Sequence, residues 1–132
     1  MLLYITLGST DLARSQIFYD AVLAPLSVTR RVTEDDELGY APEGDAEAEA
    51  DRRCRLWVLT PVNGKEATFG NGAMTALDAP SRDAVDAFYA AAIANGGTDE
   101  GAPGLRPYHA SFYACYVRDP DGNKLSAVCE KP

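Results

Sequence analysis

The chain has 132 residues, 46% of them hydrophobic and 24% charged, a balance that suits one globular domain and excludes a disordered segment. With 12 Lys+Arg against 20 Asp+Glu the formal net charge is -8, which disfavours nucleic acid and makes a neutral or cationic ligand easier to accommodate. No run approaches the roughly 20 apolar residues that span a bilayer, so a membrane partner is not expected.

The opening MLLYITLGSTD has no basic region, and Gly8, Ser9 and Asp11 interrupt its apolar run, so it reads as a strand rather than a signal peptide. Leu3, Ile5 and Leu7 alternate with Tyr4, Thr6 and Gly8, the period of a strand with two unlike faces. Thr10 is the expected N-cap of a helix whose apolar stripe is Leu12, Ser15, Tyr19, Val22, Leu23 and Leu26. Strands are expected at 27–33, 37–41 and 54–60, with the acidic stretch 42–53 read as a solvated loop.

Residues 61–72 form a junction, and the pattern then returns. Residues 74–96 overlay residues 4–26 without a gap, so that Leu7 falls on Leu77, Phe18 on Phe88, Tyr19 on Tyr89 and Ala21 on Ala91. The repeat implies two copies of one strand–helix unit, spanning about 1–62 and about 72–132. In the second copy Ser81 caps a helix with Val85, Phe88, Tyr89, Ala92 and Ile93 buried, and Gly96-Gly97 ends it. A Pro/Gly-rich segment at 98–107, a strand at 111–117, a tight turn at DPDGN and a last strand at 124–130 follow. The expected fold is α+β: two βαβββ units forming a U-shaped mixed sheet around a cleft, with helices on its outer side.

Alternation sorts the side chains. If Ile5 and Leu7 pack on the helix, Tyr4 and Thr6 face the other way, as do Met74, Ala76 and Asp78 in the second copy. On the strands that close each unit, Trp57 and Ser126 take that same open side. Tyr4, Trp57, Met74 and Ser126 are therefore the candidate lining of the cleft.

The opening YITLGSTDLARSQIFYDAVLAPL, the helix beginning at Ala79 and the stretch GAPGLRPYHASFYACYVRDPDGNKLSAVCE resemble the vicinal oxygen chelate superfamily, which includes glyoxalases, bleomycin resistance proteins and extradiol dioxygenases. The resemblance covers nearly the whole chain except residues 34–53. It implies the paired βαβββ fold, frequent dimerisation and, in the enzymes, a divalent metal held by His or Gln and Glu from the first and last strands of each unit. At those positions this chain has Tyr4, Trp57, Met74 and Ser126, which offer a phenol, an indole, a thioether and a hydroxyl. None is a dependable anionic donor, so no metal and no other cofactor is expected.

Tyr4 and Trp57 form a candidate aromatic platform for a flat or cationic ligand. Arg106, His109 and Tyr113 are further candidate ligand contacts in the segment that the resemblance places at the cleft mouth. His109, the single histidine, is also the one candidate acid or base. The cysteines Cys54, Cys115 and Cys129 lack CxxC spacing and read as free thiols of a cytoplasmic protein. Three functions stand open: a metal-free binding module for a small organic molecule, an enzyme that uses His109 in the retained cleft, and a lyase, isomerase or dioxygenase with non-standard metal ligands. A homodimer is expected.

Overall fold

The protein is described from a computed structural model covering residues 1–132, the side chains of 49–51 excepted. In the first unit, β1 (Ile5–Gly8) leads into α1 (Leu12–Leu23) and a 3₁₀ turn at Ala24–Leu26, followed by β2 (Val28–Thr33), β3 (Glu37–Pro42), a short α2 (Ala46–Asp51) and β4 (Leu56–Leu59). In the second, β5 (Thr75–Asp78) precedes α3 (Arg82–Ala94), β6 (Thr98–Leu105), β7 (Tyr113–Arg118) and β8 (Lys124–Cys129). Two four-stranded mixed sheets result, ordered β1-β4-β3-β2 and β5-β8-β7-β6. Each is a βαβββ unit whose first and last strands are parallel neighbours joined across a helix. Among the described residues no helix is long and apolar enough to cross a membrane.

The offset of the repeat appears directly in the structure. Phe18 and Phe88 are both fully buried, and α1 and α3 pack against one another. A single core joins the helix-facing residues of both sheets, including Leu38, Tyr40, Leu56 and Val58 from one and Cys115, Val117, Leu125 and Ala127 from the other. The face assignment by alternation holds: Ile5, Leu7 and Leu77 pack on this core, whereas Tyr4, Thr6, Met74, Ala76 and Asp78 are exposed. All three cysteines are buried and free, and burial pushes the thiols of Cys54 and Cys115 up.

Three local expectations are corrected. Asp11, not Thr10, caps α1, its side chain accepting from the Arg14 amide at 3.0 Å. Thr10 is drawn instead to Asp121, which accepts from its amide at 2.9 Å and its hydroxyl at 2.8 Å. The Pro/Gly-rich segment 98–105 is a strand, β6. It tolerates Pro103 because it is an edge strand, and its pairing with β7 shifts register between Asp99 and Gly101 and again between Gly101 and Gly104. Within the acidic stretch, Asp45 caps α2 through the Ala48 amide, so local capping builds a short helix where a loop was expected.

The DPDGN turn locks the two units together. Asp119 accepts from the backbone amides of Asp121 and Asn123 and, at 2.5 Å, from the Tyr19 hydroxyl of α1. The Asn123 amide donates to Asp119 and across to the Gly8 carbonyl at the end of β1. Asp121 meanwhile ties the turn to the start of α1, accepting from the Thr10 amide and hydroxyl, the Arg14 guanidinium and the Ser15 hydroxyl.

Candidate functional site

Each sheet has one face covered by its own helix and one that is not. On the uncovered face of the first sheet, β1 and β4 pair so that Thr6 lies opposite Trp57, with Tyr4 and Leu59 flanking. These side chains, with Leu3 and Cys54, line an open cavity of about 520 Å³. Trp57 sits directly across from Gly39 of β3, and the missing side chain there seats the indole. A Cβ on Gly39 would lie 2.7 Å from the indole Cζ3 and equally close to the Cys54 sulfur. Around the rim, Arg52 pairs with Glu34 and Glu37, Arg53 with Glu47, and Arg55 with Asp45 and Glu47. The floor is thus aromatic and apolar, and the rim charges already answer one another.

The second sheet differs. A smaller cavity of about 280 Å³ is lined by Ala76, Leu77, Asp78, Phe112, Val128 and Glu130. His109 stands beside it, half-exposed, its Nε2 3.4 Å from Glu130 and its ring edge-on to Phe112 at 5.4 Å. The Ser111 amide donates to Nδ1, so a neutral imidazole carries its proton on Nε2, toward Glu130. Arg106 lies over the Tyr116 ring at 5.4 Å.

Of the residues singled out from the sequence, Tyr4 and Trp57 therefore share one cavity, while Met74 and Ser126 line neither of these two. Met74 is 47% exposed just before β5, and Ser126 is fully buried in β8. Tyr113 points to the helix side of its sheet, where its hydroxyl donates to Asp86 of α3 at 2.7 Å and Arg82 lies over its ring. Arg52, Arg53, Arg55, Glu37 and Glu47 at the rim, and Tyr116, Lys124, Phe112 and Glu130 on the second unit, were not singled out. Alternation along β8 reaches Lys124 two residues before Ser126, so that residue was within reach of the sequence pattern. The placement of Tyr116 depends on cross-strand register with Ser126, which the pattern does not carry.

A divalent metal does not fit the four positions at which related enzymes would hold one. An indole N–H only donates, a thioether suits soft ions, and neutral hydroxyls bind hard cations weakly. The Ser126 hydroxyl is buried without a hydrogen-bond partner, and two aromatic rings stand at Tyr4 and Trp57. Among the described residues, no group of three His, Cys, Asp or Glu side chains is placed to hold a metal ion.

Two βαβββ units on one helical core define a paired-unit α+β protein with an uncovered, side-chain-lined face on each sheet. The family model described as the Glyoxalase/Bleomycin resistance protein/Dioxygenase superfamily matches residues 2–126, and the chain belongs to that superfamily. It is similar to a glyoxalase/bleomycin resistance protein from Albidiferax ferrireducens T118, with 38% identity over 98% of this chain and 97% of that one and a TM-score of 0.81. A glyoxalase/bleomycin resistance protein/dioxygenase family enzyme from Burkholderia phytofirmans PsJN shares the fold at 18% identity, 98% coverage of both chains and a TM-score of 0.70. Lactoylglutathione lyase from Agrobacterium tumefaciens does so at 17% identity, covering 98% of this chain and 92% of that one, with a TM-score of 0.65. No curated protein sequence matches the chain.

Proposed function

We propose that this chain binds a small organic molecule with a flat, apolar body on the uncovered face of its first sheet, without a divalent metal. The observation that carries the reading is that Tyr4 and Trp57 line one open cavity, at positions where the superfamily resemblance implies metal ligands. Stacking on aromatic faces needs no charge on the protein, and the rim ions are matched to one another, so the ligand's body is recognised here. A cationic ligand would gain further from the two rings and the net charge of -8.

Trp57 reports on this reading, since it is the single tryptophan. Titration with a panel of aromatic amines and neutral aromatics is expected to change its fluorescence for at least one class, in protein found by elemental analysis to hold less than stoichiometric divalent metal. Tyr4→Ala is expected to weaken that binding about tenfold, because stacking contributes roughly 1 kcal/mol or more per ring pair. A flat titration throughout, or unchanged affinity in the variant, would remove the platform.

A second reading makes the protein an enzyme of the superfamily with His109 as acid or base. The contact of Nε2 with Glu130 beside the second cavity favours it, because a carboxylate partner orients the imidazole. Its test is activity toward superfamily substrates that vanishes in His109→Gln.

We also infer a homodimer in a reducing, cytoplasmic compartment. Leu2, Leu3, Tyr4, Met74, Leu105 and Tyr108 are all exposed, and β1 and β5 are unpaired on one edge. Light scattering is expected to give twice the 14.2 kDa chain mass. A particle of single-chain mass at every concentration would refute the dimer.

A further inference from the structure

The uncovered face of the second sheet carries a cluster that the aromatic cavity does not use. Alternation along β7 and β8 puts Tyr116, Lys124 and Ser126 together on it, because Cys115, Val117, Leu125 and Ala127 all turn to the core. Arg106 reaches the same place from beyond β6, its guanidinium carbon 5.4 Å from the centre of the Tyr116 ring, and the Lys124 ammonium is 5.7 Å from that centre.

The GAPG stretch of β6, just before Arg106, explains how the guanidinium is held. A Cβ on Gly101 would lie 2.9 Å from the Tyr116 ring and 3.3 Å from Arg106 Nη2, and one on Gly104 would lie 3.1 Å from Nη1. Both glycines therefore leave the space the guanidinium occupies. Arg106 donates Nη2 to the Ala102 carbonyl at 2.5 Å and Nη1 to the Leu105 carbonyl at 3.4 Å, which anchors it and leaves the rest of its five donors unused.

What the cluster lacks is a negative charge. The chain has 20 acidic residues and 12 basic ones, yet among the described residues neither Arg106 nor Lys124 pairs with a carboxylate. Glu100, on the adjoining strand, is committed to Arg118 at 2.8 Å. The Tyr116 hydroxyl makes no hydrogen bond among the described residues, and the fully buried Ser126 hydroxyl, on the residue paired with Tyr116, has no partner either. Both cations lie over the Tyr116 ring with donors to spare and no carboxylate partner, so a group that brings a negative charge to this face would gain from both.

We propose that Arg106, Lys124 and Tyr116 form an oxyanion-binding subsite on the second sheet, for a carboxylate or phosphate group on a small molecule. A guanidinium held at two backbone carbonyls is pre-organised to present its remaining N–H groups to such a group, and the lysine adds a point charge. The subsite is separate from the aromatic cavity, which neither cation lines. It also confines recognition to small anions, since the net charge of -8 opposes a polyanion.

The test is calorimetry on the full chain with benzoate, its neutral counterpart benzamide, and inorganic phosphate. Benzoate or phosphate is expected to bind, whichever is tighter naming the source of the oxyanion, and benzamide is not. Lys124→Gln, at a partly exposed position, is expected to weaken that binding by roughly tenfold, as is Arg106→Gln. Gly104→Ala keeps every charge but crowds Nη1, and is expected to weaken binding as well. The proposal is overturned if neither anion binds, if benzamide binds as well as benzoate, or if a folded Lys124→Gln protein binds the anion unchanged.

Discussion

Truncating Phe88 to alanine is expected to lower unfolding free energy by about 3–5 kcal/mol, the range for large aromatic truncations in a packed core. Phe88 is fully buried on α3 and belongs to the core shared by both units. Its counterpart Phe18 packs edge-on to Tyr19 at 5.1 Å, and a Cβ on Gly97, beyond the end of α3, would lie 2.9 Å from the Phe18 ring. Phe88 lies on α3, which packs against α1, so its loss leaves a cavity in the core that both units share. Urea denaturation should show one cooperative transition shifted to lower denaturant, not the loss of one unit alone. Tyr4→Ala, 54% exposed, is the control and should cost no more than about 1 kcal/mol. A Phe88→Ala protein as stable as the control would mean that the two units do not share a core.

Asp121→Ala is expected to cost about 3 kcal/mol at neutral pH, since hydrogen bonds to a charged group contribute roughly 1.5–3 kcal/mol and this carboxylate accepts several. Its side chain is only 4% exposed, and it holds the Thr10 amide and hydroxyl, Arg14 and Ser15. Burial works to raise its pKa, but the hydrogen bonds from Thr10 and Ser9 and the charge of Arg14 outweigh it and hold the carboxyl below its ordinary value. A folded pKa below the unfolded one, about 3.9, means that the stabilisation is fully present above that value. It is lost as pH falls through the folded pKa. The stability difference between wild type and Asp121→Ala should accordingly be constant from pH 7 to about 5 and shrink on acidification below 4. Comparing the two proteins cancels the contribution of Asp119, whose pKa burial moves up. A difference that stays constant down to pH 2 would show that the charge is not what joins the turn to α1.

The candidate site was legible in its parts and not in its assembly. Period-two alternation assigned Tyr4, Trp57 and Ser126 to uncovered faces because a strand turns successive side chains to opposite sides whatever its neighbours do. It assigned nothing to Arg106, whose position depends on two glycines of the strand leading into it and on the Tyr116 ring of the next strand. Tyr113 shows the limit from the other side: grouped with His109 and Arg106 by proximity in sequence, it lies on the helix-facing side with Asp86. The edge strand β6 was masked by its own Pro and Gly, since local propensity argues against a strand that an interrupted ladder with β7 then supports.

The sequence by itself determined the two-unit α+β plan. The repeat of Leu7, Phe18 and Tyr19 at Leu77, Phe88 and Tyr89 is a statement about burial, and burial follows from which apolar side chains a strand or helix presents to one side. It likewise determined that the residues at the metal positions are poor ligands, because donor chemistry belongs to the side chain and not to its surroundings. Only the tertiary structure decided that Asp121 holds the start of a helix more than a hundred positions away, that Gly39 seats the indole of Trp57, and that Arg106 and Lys124 both lie over the Tyr116 ring. Those contacts join residues far apart in the chain, and cross-strand register and loop path, which local pattern leaves open, bring them together.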